Sequence, residues 1–362
     1  MVTQDMACGL RHIAMAIALK FIDICLFVAD EFKHPPEVGG LFVSSIEFHI
    51  AVSRDNDYRG SVRPDMVEWS KWVYARLQLA HSKGFPICKM ADDLPAERNK
   101  SGDIIGNCKW NGSFYGTDAT PRSALVVDKE GKPSVQKDLA YRGTVSLPGG
   151  RVLTIKGLNR QRITNDLVLF NRNYGSATRT NEHGREVRIR QGRAVDISAK
   201  GNMMLDNNSL VLSGHGVNAD ALARIRRGDR VAVDQTLGSR TADEAGLVVG
   251  GGPLLLENGL VNVRVREEAI APDSAFGRAP RTGVGVTADG TVLLMVVDGR
   301  SQNSAGMTLK EFAQYLKRFG AVSAVNFDGG GSSEMVLDGR IMNRPSDGSE
   351  RPVSIGLGVF RK

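Results

Sequence analysis

The chain has 362 residues, of which 41% are hydrophobic, and it carries a formal net charge of +7 at pH 7. This length holds one large domain or two, and the hydrophobic fraction is sufficient for a packed core. The positive charge is compatible with anionic partners such as acidic glycans, whereas the lack of an RNA-binding aromatic motif, a zinc finger or a basic helix argues against nucleic acid.

The first 105 residues contain one apolar segment that resembles a membrane or signal sequence. It covers residues 13–29 and is interrupted by Lys20 and Asp23. A charge at the centre of a bilayer helix costs about 2.5–3.5 kcal/mol on insertion scales, and no small-residue cleavage site follows the segment. We therefore predict a packed amphipathic helix in residues 13–29, with no stable transmembrane anchor and no clean signal peptide.

The remainder of residues 1–105 gives weaker signals. Tryptophan and aliphatic residues between positions 67 and 80 predict a second helix, and the polar stretch 92–103 predicts a loop. None of this segment resembles a known family or carries the motifs described below, so we expect it to be dispensable for chemistry. We divide the chain into a partly helical N-terminal segment, residues 1–105, and a second domain, residues 106–362.

All four cysteines lie early in the chain, at positions 8, 25, 88 and 108. The sequence beyond Cys108 therefore needs neither a disulfide nor a thiolate metal site. Cys88 and Cys108 could pair in an oxidising compartment, or both could remain buried free thiols, and the sequence leaves these alternatives open.

Beyond residue 106 the sequence consists of short apolar runs separated by turns. Strands are predicted at residues 124–127, 167–170, 210–212, 231–233 and 261–265. Helices are evident only near residues 219–226 and after Thr308. This pattern predicts an α+β fold with a mixed β-sheet core and few helices.

The C-terminal part contains a predicted strand–helix–strand unit. Residues 291–297 and 321–327 are apolar runs rich in β-branched residues, which is typical of buried strands. Between them, Thr308 and Glu311 have the spacing of a capping box, so a helix should begin there. We expect this unit to carry the functional site.

Each strand of this unit ends in a carboxylate that glycine follows. The two segments are Asp298-Gly-Arg and Asp328-Gly-Gly-Gly-Ser-Ser. If the strands are parallel, both segments converge at one edge of the sheet, where open α/β sheets bind ligands. Glycine amides in such a turn can form a nest for an anion, so the carboxylates, amides and hydroxyls together predict a sugar or phosphate site. A lone Asp-Gly-Gly would more simply be a hairpin turn.

Other loop residues have structural alternatives of their own. Asp289 and Asp338 each precede glycine between apolar runs and predict hairpin turns. Asp347 lies in a polar loop that is as typical of a solvated loop as of a site. His215 is more typical of a loop residue than of a catalyst, but it stays a candidate.

Several short motifs beyond residue 107 follow one another in a characteristic order. They are Asn111-Gly-Ser-Phe-Tyr, Gly175 with Thr178, Gly184 with Glu186, Gly250-Gly-Gly-Pro-Leu, Arg281-Thr-Gly-Val-Gly, Val297-Asp-Gly-Arg, Asn326-Phe-Asp-Gly-Gly-Gly-Ser-Ser and Arg351-Pro-Val-Ser-Ile-Gly-Leu. In this order they resemble the motifs of the phosphodiester glycosidase family. Ser113 and Ile355 depart from the family pattern, which has glycine and asparagine there in many members.

The resemblance implies a hydrolase that cleaves a sugar-1-phosphodiester at the glycosidic bond, on a cell-envelope or exopolysaccharide-related glycan. Glycoside hydrolysis usually needs two carboxyl groups. A phosphomonoester, with a second pKa of about 6, leaves readily, so cations that hold the phosphate gain importance. One alternative is a non-catalytic glycan- or phosphate-binding protein of polysaccharide biosynthesis or export. Another is an enzyme of the same fold acting on a wall-polymer phosphodiester.

On this basis we predict Asp328 and Asp298 as catalytic carboxylates, with Glu186 third. The predicted substrate-binding set consists of cations, amides, hydroxyls and loop residues: Asn111, Arg281, Arg300, Gly329, Gly330, Gly331, Ser332, Ser333, Asp347 and His215. Two structural alternatives remain open. Arg281 and Asp298 could form a buried ion pair that orders the sheet edge, and Asn111 could simply close a turn.

Neither a metal nor a cofactor is predicted, because no His or Cys cluster has metal-ligand spacing. A calcium ion held by loop carboxylates remains an alternative. The predicted partner is a carbohydrate phosphodiester, and the sequence does not determine the oligomeric state. The family resemblance implies an exported or envelope-associated protein.

Overall fold

β-Strands make up most of the regular structure. The computed structural model describes residues 106–337, 340–351, 353 and 355–360, together with the strand backbones of residues 14–20, 23–28, 47–53 and 73–76. The first four strands are β1 Ala14–Lys20, β2 Asp23–Val28, β3 Glu47–Ser53 and β4 Val73–Arg76. The others are β5 Cys108–Trp110, β6 Ser113–Gly116, β7 Arg122–Val127, β8 Pro133–Leu139, β9 Arg142–Ser146, β10 Val152–Ile155, β11 Gly157–Leu158, β12 Leu167–Phe170, β13 Arg185–Arg190, β14 Arg193–Ser198, β15 Leu210–Gly214, β16 Ala232–Thr236, β17 Leu247–Gly250, β18 Leu254–Glu257, β19 Leu260–Val261, β20 Arg281–Thr287, β21 Val292–Val297, β22 Ala321–Phe327, β23 Glu334–Leu337, β24 Arg340–Ile341 and β25 Ile355–Phe360.

Helices are few and mostly short in the described ranges. They are α1 Val217–Leu222, α2 Arg240–Glu244, α3 Pro272–Phe276 and α4 Leu309–Arg318. Three single turns of 3-10 helix lie at Pro148–Gly150, Arg172–Tyr174 and Gly330–Ser332. None of the described helices is long and apolar enough to cross a membrane. The predicted α+β class with few helices is confirmed.

Most strands predicted beyond residue 106 are present, with ends that differ by a few residues. The predicted strand 261–265 is wrong, because the strand covers only Leu260–Val261, although the Asn262 and Arg264 amides still donate to carbonyls of β18. Sequence also gave no sign of α2 and α3. Each has five residues, which is too short for helical periodicity to be recognised.

The helix predicted for residues 13–29 is wrong, because the segment contains strands β1 and β2. Short apolar runs are ambiguous between buried helix and buried strand, and here pairing with β21 and β25 decides. The second predicted helix contains strand β4 instead, and the rest of residues 67–80 lies outside the described residues, as does the loop predicted at 92–103. Cys108 is a buried free thiol, and Cys88 lies outside the described residues.

The described residues form five sheets, and the largest of these carries the predicted strand–helix–strand unit. Its order is β19-β18-β22-β20-β21-β1-β3. Both β21 and β22 pair antiparallel with β20, which lies between them, so β21 and β22 run in the same direction. Their carboxyl ends therefore reach the same edge of the sheet, as the convergence of Asp298 and Asp328 requires. Arg281, the first residue of β20, lies between these two ends, opposite Val297.

Helix α4 covers one face of this sheet and is defined by local signals. Thr308 and Glu311 form the predicted capping box. The helix buries Leu309, Phe312 and Leu316 against one set of alternating β21 residues, Leu293, Met295 and Val297. The other set, Val292, Leu294 and Val296, faces a second core that β5, β17, β23 and β25 share. The period of two places the site-bearing strands between two apolar layers.

Strand pairing crosses the predicted boundary at residue 105. Strand β1 covers the edge of β21, and β4 pairs with both β23 and β25. Strand β21 ends directly before Asp298, and β23 begins directly after the glycine and serine run that follows Asp328. An unpaired edge exposes N–H and C=O groups and promotes aggregation.

Removal of residues 1–102 is therefore expected to lower the melting temperature and to produce soluble aggregates. Removal of residues 2–12 alone, which leaves all four early strands in place, serves as the control. Circular dichroism and size-exclusion chromatography measure both effects. A monomer with an unchanged melting temperature would support the two-part division of the chain and contradict the importance of these pairings.

Candidate functional site

A cavity of about 290 Å³ lies at the edge where β21 and β22 end. Strand-end residues from Asn326 to Gly330 form one side, and residues 269–274 form another. Three arginines, Arg122, Arg281 and Arg300, also line it. Ligand sites in proteins typically begin at about 300 Å³, so the cavity is of a size for one small ligand, and its three arginines favour an anionic group.

Asp328 is the strand-end carboxylate that lines this cavity. Burial raises the pKa of Asp328 to about 6, although hydrogen bonds from Ser332 and the Gly329 amide and the charges of Arg351 and Arg300 favour the ionised form. The carboxyl group therefore titrates near neutral pH. A side chain with such a pKa can accept or donate a proton under physiological conditions.

The glycines after Asp328 form a tight turn with different neighbours. A Cβ on Gly329 would lie 2.5 Å from the carbonyl oxygen of Pro280. Gly330 has φ +61°, a conformation that residues with a Cβ rarely adopt. A Cβ on Gly331 would collide with the paired side chains of Asp347 and Arg351. Each glycine is required by a separate close approach.

The predicted anion nest is largely closed by bonds within the turn. The Gly329 amide bonds the Asp328 carboxylate, and the Gly330 amide donates to the Pro280 carbonyl at 3.0 Å. The Ser332 and Ser333 amides donate to the carbonyls of Gly329 and Gly330 at 3.1 Å. These four amides therefore donate to groups of the protein and are not free to bind an anion.

The two serine side chains also have partners in the turn region. The Ser332 hydroxyl bonds Asp328. The Ser333 hydroxyl accepts a hydrogen bond from Thr282 Oγ1 at 3.0 Å. These contacts fix the end of β22 to β20.

Asp298 lies at the same edge but faces the loop of residues 343–351. Its Oδ1 accepts hydrogen bonds from Asn343 Nδ2 at 3.1 Å and from the Arg344 amide at 2.9 Å. Burial raises the pKa of Asp298, and these two donors oppose the shift. Asn343 also bonds the Met335 amide and the Ser333 carbonyl. Asp298 therefore anchors the loop beside the glycine turn and is not part of the cavity wall.

Arg281 is buried, and its guanidinium donates to three carbonyl oxygens. They belong to Met307 at 2.8 Å, Ser274 at 2.9 Å and Gly277 at 2.7 Å. Burial, together with the charge of Arg300, lowers the pKa of Arg281 to about 10. Among the described residues Arg281 forms no ion pair with Asp298, so the alternative of a buried pair is not realised.

Arg300 is exposed and lines the cavity beside the turn. Its guanidinium lies 3.2 Å from the position of a Cβ on Gly330. In the described part of the chain it forms no hydrogen bond, so its donors are available to a ligand in the cavity that it lines. Arg122 also lines the cavity, and only its Nε is committed, to Asp118 at 2.9 Å.

Asp347 lies next to Gly331, the third glycine of the turn. It pairs with Arg351, and both side chains lie against Gly331. Arg351 in turn acts electrostatically on Asp328. The loop that Asp298 anchors thus brings a further cation next to the strand-end carboxylate.

Two predicted site residues, Glu186 and His215, lie elsewhere and are engaged in hydrogen bonds within the protein. Glu186, in β13 of another sheet, is fully buried and accepts hydrogen bonds from Thr180 Oγ1 and the Met203 amide, both at 2.9 Å. His215 accepts a hydrogen bond from the Asn165 amide through Nδ1 at 3.1 Å. Neither lines the cavity.

Asn111 occupies the exposed hairpin turn between β5 and β6. It has φ +47° and its amide donates to the Gly246 carbonyl at 2.9 Å. Gly246 precedes β17, whereas the cavity residue Gly252 follows the other end of β17. Asn111 therefore lies at the opposite end of β17 from the cavity and has the geometry of a turn residue.

Four residues of the site were missed by sequence reasoning: Arg122, Asp273, Asn326 and Arg351. Asn326 and Arg351 stand within the quoted motifs, so their proximity to Asp328 could have been inferred. Asp273 and Arg122 come from α3 and β7, distant in sequence from the glycine turn. No local pattern marks them.

Comparison with known proteins identifies relatives of the C-terminal half. Residues 183–360 match the phosphodiester glycosidase family. The SPbeta prophage-derived uncharacterized protein YomE of Bacillus subtilis is 40% identical over 74 residues, which are 20% of this chain and 12% of that protein. N-acetylglucosamine-1-phosphodiester alpha-N-acetylglucosaminidase of Bos taurus is 32% identical over 109 residues, which are 28% of this chain and 20% of that enzyme.

Solved structures support the fold. A hypothetical protein from Synechocystis superposes with a TM-score of 0.65 at 20% identity, covering 80% of this chain and 51% of that one. The matches to the two curated relatives extend over only 12% and 20% of their own lengths.

Substitutions at Gly329 and Gly331 are expected to differ in their effect on the stability of the protein. Gly329→Ala places a Cβ against backbone and should reduce the free energy of unfolding by about 1–3 kcal/mol, the usual cost of overpacking. Gly331→Ala meets only the ends of two flexible side chains and should change stability by less than about 0.5 kcal/mol. It should displace the Asp347–Arg351 pair from the turn. Urea unfolding measures both.

Gly246→Ala is the matched control, because its Cβ would lie 3.6 Å from the nearest atom, the Asp128 carbonyl oxygen. Equal destabilisation by Gly329→Ala and Gly331→Ala would contradict the different neighbours that the structure assigns to the two glycines.

The raised pKa of Asp328 predicts a pH-dependent stability. Its ordinary value is 3.8 and its folded value about 6, so the folded state loses stability relative to the unfolded state as pH rises through this window. Asp328→Asn removes this loss. The melting temperature of the variant minus that of the wild type should therefore become more positive between pH 4 and pH 7.5. A difference independent of pH would show that Asp328 is not destabilised by burial.

Proposed function

Because residues 183–360 belong to the phosphodiester glycosidase family, we propose that this protein hydrolyses a sugar-1-phosphodiester at the bond between the anomeric carbon and the bridging oxygen. The observation that carries the proposal is the cavity in which Asp328 lies with Arg300 and Arg122. A carboxyl group that titrates near neutral pH and two cations with free donors match an anionic leaving group.

The arginines would hold the phosphate of the substrate. A guanidinium binds phosphate oxygens with two parallel hydrogen bonds, and Arg300 and Arg122 both have donors available for this. As the bond to the anomeric carbon breaks, negative charge grows on the departing phosphomonoester. Cations already in place stabilise that charge more in the transition state than in the ground state.

Asp328 would act in its ionised form, as the base that activates water or as the nucleophile at the anomeric carbon. Its pKa near 6 makes the ionised form dominant above that pH. Activity should therefore fall as pH drops below about 6. The positive charges of Arg351 and Arg300 lower the pKa of Asp328 and so limit the rise that burial causes.

Asp298 and Arg281 would act as positioning residues. Asp298 holds residues 343 and 344, and through them the loop that brings Arg351 to the turn. Arg281 holds the wall formed by α3. Both were predicted to contact substrate directly, and the geometry favours an indirect role for each.

The substrate glycan is proposed to belong to the cell envelope or to an exopolysaccharide. The formal net charge of +7 is compatible with a phosphate-containing glycan. The bovine relative is named for an N-acetylglucosamine-1-phosphodiester, so this sugar is the first to test.

The function is tested with N-acetylglucosamine, glucose and mannose, each linked at C1 to methyl phosphate. The purified protein is incubated with each compound in water enriched in oxygen-18, and phosphorus NMR follows the phosphate. We expect release of unlabelled methyl phosphate and label in the sugar. Label in the phosphate would indicate P–O cleavage and reject the glycosidic reaction.

Asp328→Asn should reduce turnover by at least about 100-fold, the usual range for a general acid or base. Asp289→Asn, in a hairpin turn away from the cavity, is the control and should retain full turnover. Binding of the diesters without any hydrolysis by the wild type would favour the non-catalytic glycan-binding alternative.

A further inference from the structure

Three exposed arginines lie side by side across neighbouring segments of the chain. Arg190 ends β13 and Arg193 begins β14, and the two are directly opposite each other in this antiparallel pair. Arg193 is in turn opposite Arg230 in an isolated antiparallel bridge. Residues that are directly opposite in antiparallel segments have their side chains on the same face. Arg190, Arg193 and Arg230, the arginine row, therefore form a line of positive charge on one exposed face.

Backbone contacts hold the arginine row in register. Residues 191–192 form the turn between β13 and β14, and their φ angles of +50° and +71° are those that a two-residue type I′ hairpin requires. On the other side of β14, the Ala194 amide donates to the Asp229 carbonyl at 2.9 Å, and the Gly228 amide donates to the Ala194 carbonyl at 2.8 Å. These two bonds fix the segment that carries Arg230 against β14.

The carboxylates near the arginine row neutralise only a part of its charge. Asp206 accepts a hydrogen bond from Arg190 Nη2 at 2.9 Å. Among the described residues, Arg193 and Arg230 form no ion pair, and Arg193 donates to a backbone carbonyl instead. Asp229, which precedes Arg230 in the chain, accepts a hydrogen bond from a backbone amide at 2.8 Å. Like charges that are directly opposite in a sheet repel each other, so an anion bound across the row would relieve an unfavourable arrangement.

The length of the arginine row favours a ligand with several regularly spaced anions. Neighbouring strands are about 4.8 Å apart, so the three arginines span about 10 Å, which is more than one carboxylate or phosphate group covers. Guanidinium groups bind such anions with two parallel hydrogen bonds. A glycan with a carboxylate on each sugar ring presents anions at close and regular intervals. In a sugar–phosphate polymer, a whole sugar and its ester linkages separate one charge from the next.

The surroundings of the row do not suit a single-stranded nucleic acid. Residues 185–198 and 224–231, which carry the row, contain no aromatic side chain. Proteins that bind single strands use aromatic rings on which successive bases stack. The arginines therefore offer charge and hydrogen-bond donors without a stacking platform, which a uronic acid chain does not need.

We propose that the arginine row is a binding surface for a polysaccharide of uronic acids, whose carboxylates pair with successive arginines. None of the three arginines lines the cavity, so this surface is separate from the site at Asp328. The surface needs no hydrolysis to bind its ligand. It is therefore independent of the proposed function and can be tested whether or not the protein cleaves a phosphodiester.

The test measures binding of a fluorescently labelled oligogalacturonate to the full chain by fluorescence anisotropy at low ionic strength. Arg193→Gln combined with Arg230→Gln should weaken binding at least about tenfold, because hydrogen bonds between charged groups are the strong ones. Lys317→Gln combined with Arg318→Gln removes the same charge from the exposed end of α4 and is the matched control. The control should change the affinity less than about twofold, since its charges act only at long range.

Two further measurements separate binding from folding and from general charge effects. The arginine double variant should melt at the same or a higher temperature than the wild type by circular dichroism, because two like charges are removed. Raising the ionic strength from about 0.01 to 0.1 M should weaken binding to the wild type more than to this variant, since screening acts on the charges of the row. A labelled neutral maltooligosaccharide should not bind.

Four results would overturn the proposal. The first is an absence of oligogalacturonate binding by the wild type, and the second is an equal loss of affinity in the two double variants, which would mean that binding follows net charge alone. The third is tighter binding of duplex DNA, and the fourth is tighter binding of a sugar–phosphate polymer, than of the oligogalacturonate. Hydrolysis of the methyl phosphodiesters reports on the proposed function alone.

Discussion

The hydrogen bonds of the Arg281 guanidinium connect the segments that build the cavity. Its three acceptor carbonyls lie in α3, in the residue after α3 and in the approach to α4. An isolated β-bridge between Ala279 and Met307 joins the segment after α3 to the approach to α4 as well. A buried cation with carbonyl partners costs desolvation free energy, which is why the pKa of Arg281 is lowered. The cost is tolerated because replacing the guanidinium would remove a donor from each of the three carbonyls, and in the described part of the chain only the Met307 carbonyl keeps a backbone donor, the Ala279 amide.

The same edge concentrates charge in a way that opposes stability. Asp328 is forced towards its neutral form by burial, and Arg281 is made less basic by burial and by the neighbouring charge of Arg300. In a structural ion pair, the opposite charge of the partner normally offsets the effect of burial on each pKa. Here the cavity lies among the groups, and an anionic ligand held by Arg300 would supply the missing negative charge. Perturbed ionisable groups around a cavity are typical of functional sites.

Local signals account for what sequence predicted well. The apolar runs of β21 and β22 and the capping box at Thr308 are short-range features, so the strand–helix–strand unit and the common edge of Asp298 and Asp328 could be predicted. The orientation of the Asp298 side chain could not, because it depends on Asn343 and Arg344 folding back from a distant loop.

Non-local contacts explain the remaining differences. Residues 13–29 become strands because β21 and β25 offer free edges, a property of the folded sheet and not of the segment. Glu186 matches a family motif, yet its two oxygens close a network with Thr180 and Met203 in another sheet. A motif marks a residue type and a position in the chain, but it does not state which partner a carboxylate will find.

The length of the glycine run follows from the same packing. Gly329 touches the Pro280 backbone, Gly330 turns the chain with a positive φ beside Arg300, and Gly331 receives the Asp347–Arg351 pair. Three separate elements therefore meet at three successive residues, and a side chain at any of them would push one element away from Asp328. The turn acts less as an anion nest than as a junction that brings the arginines close to a carboxylate. The amides can therefore be used internally without removing the positive charge of the site, because that charge comes from the side chains that the glycines admit.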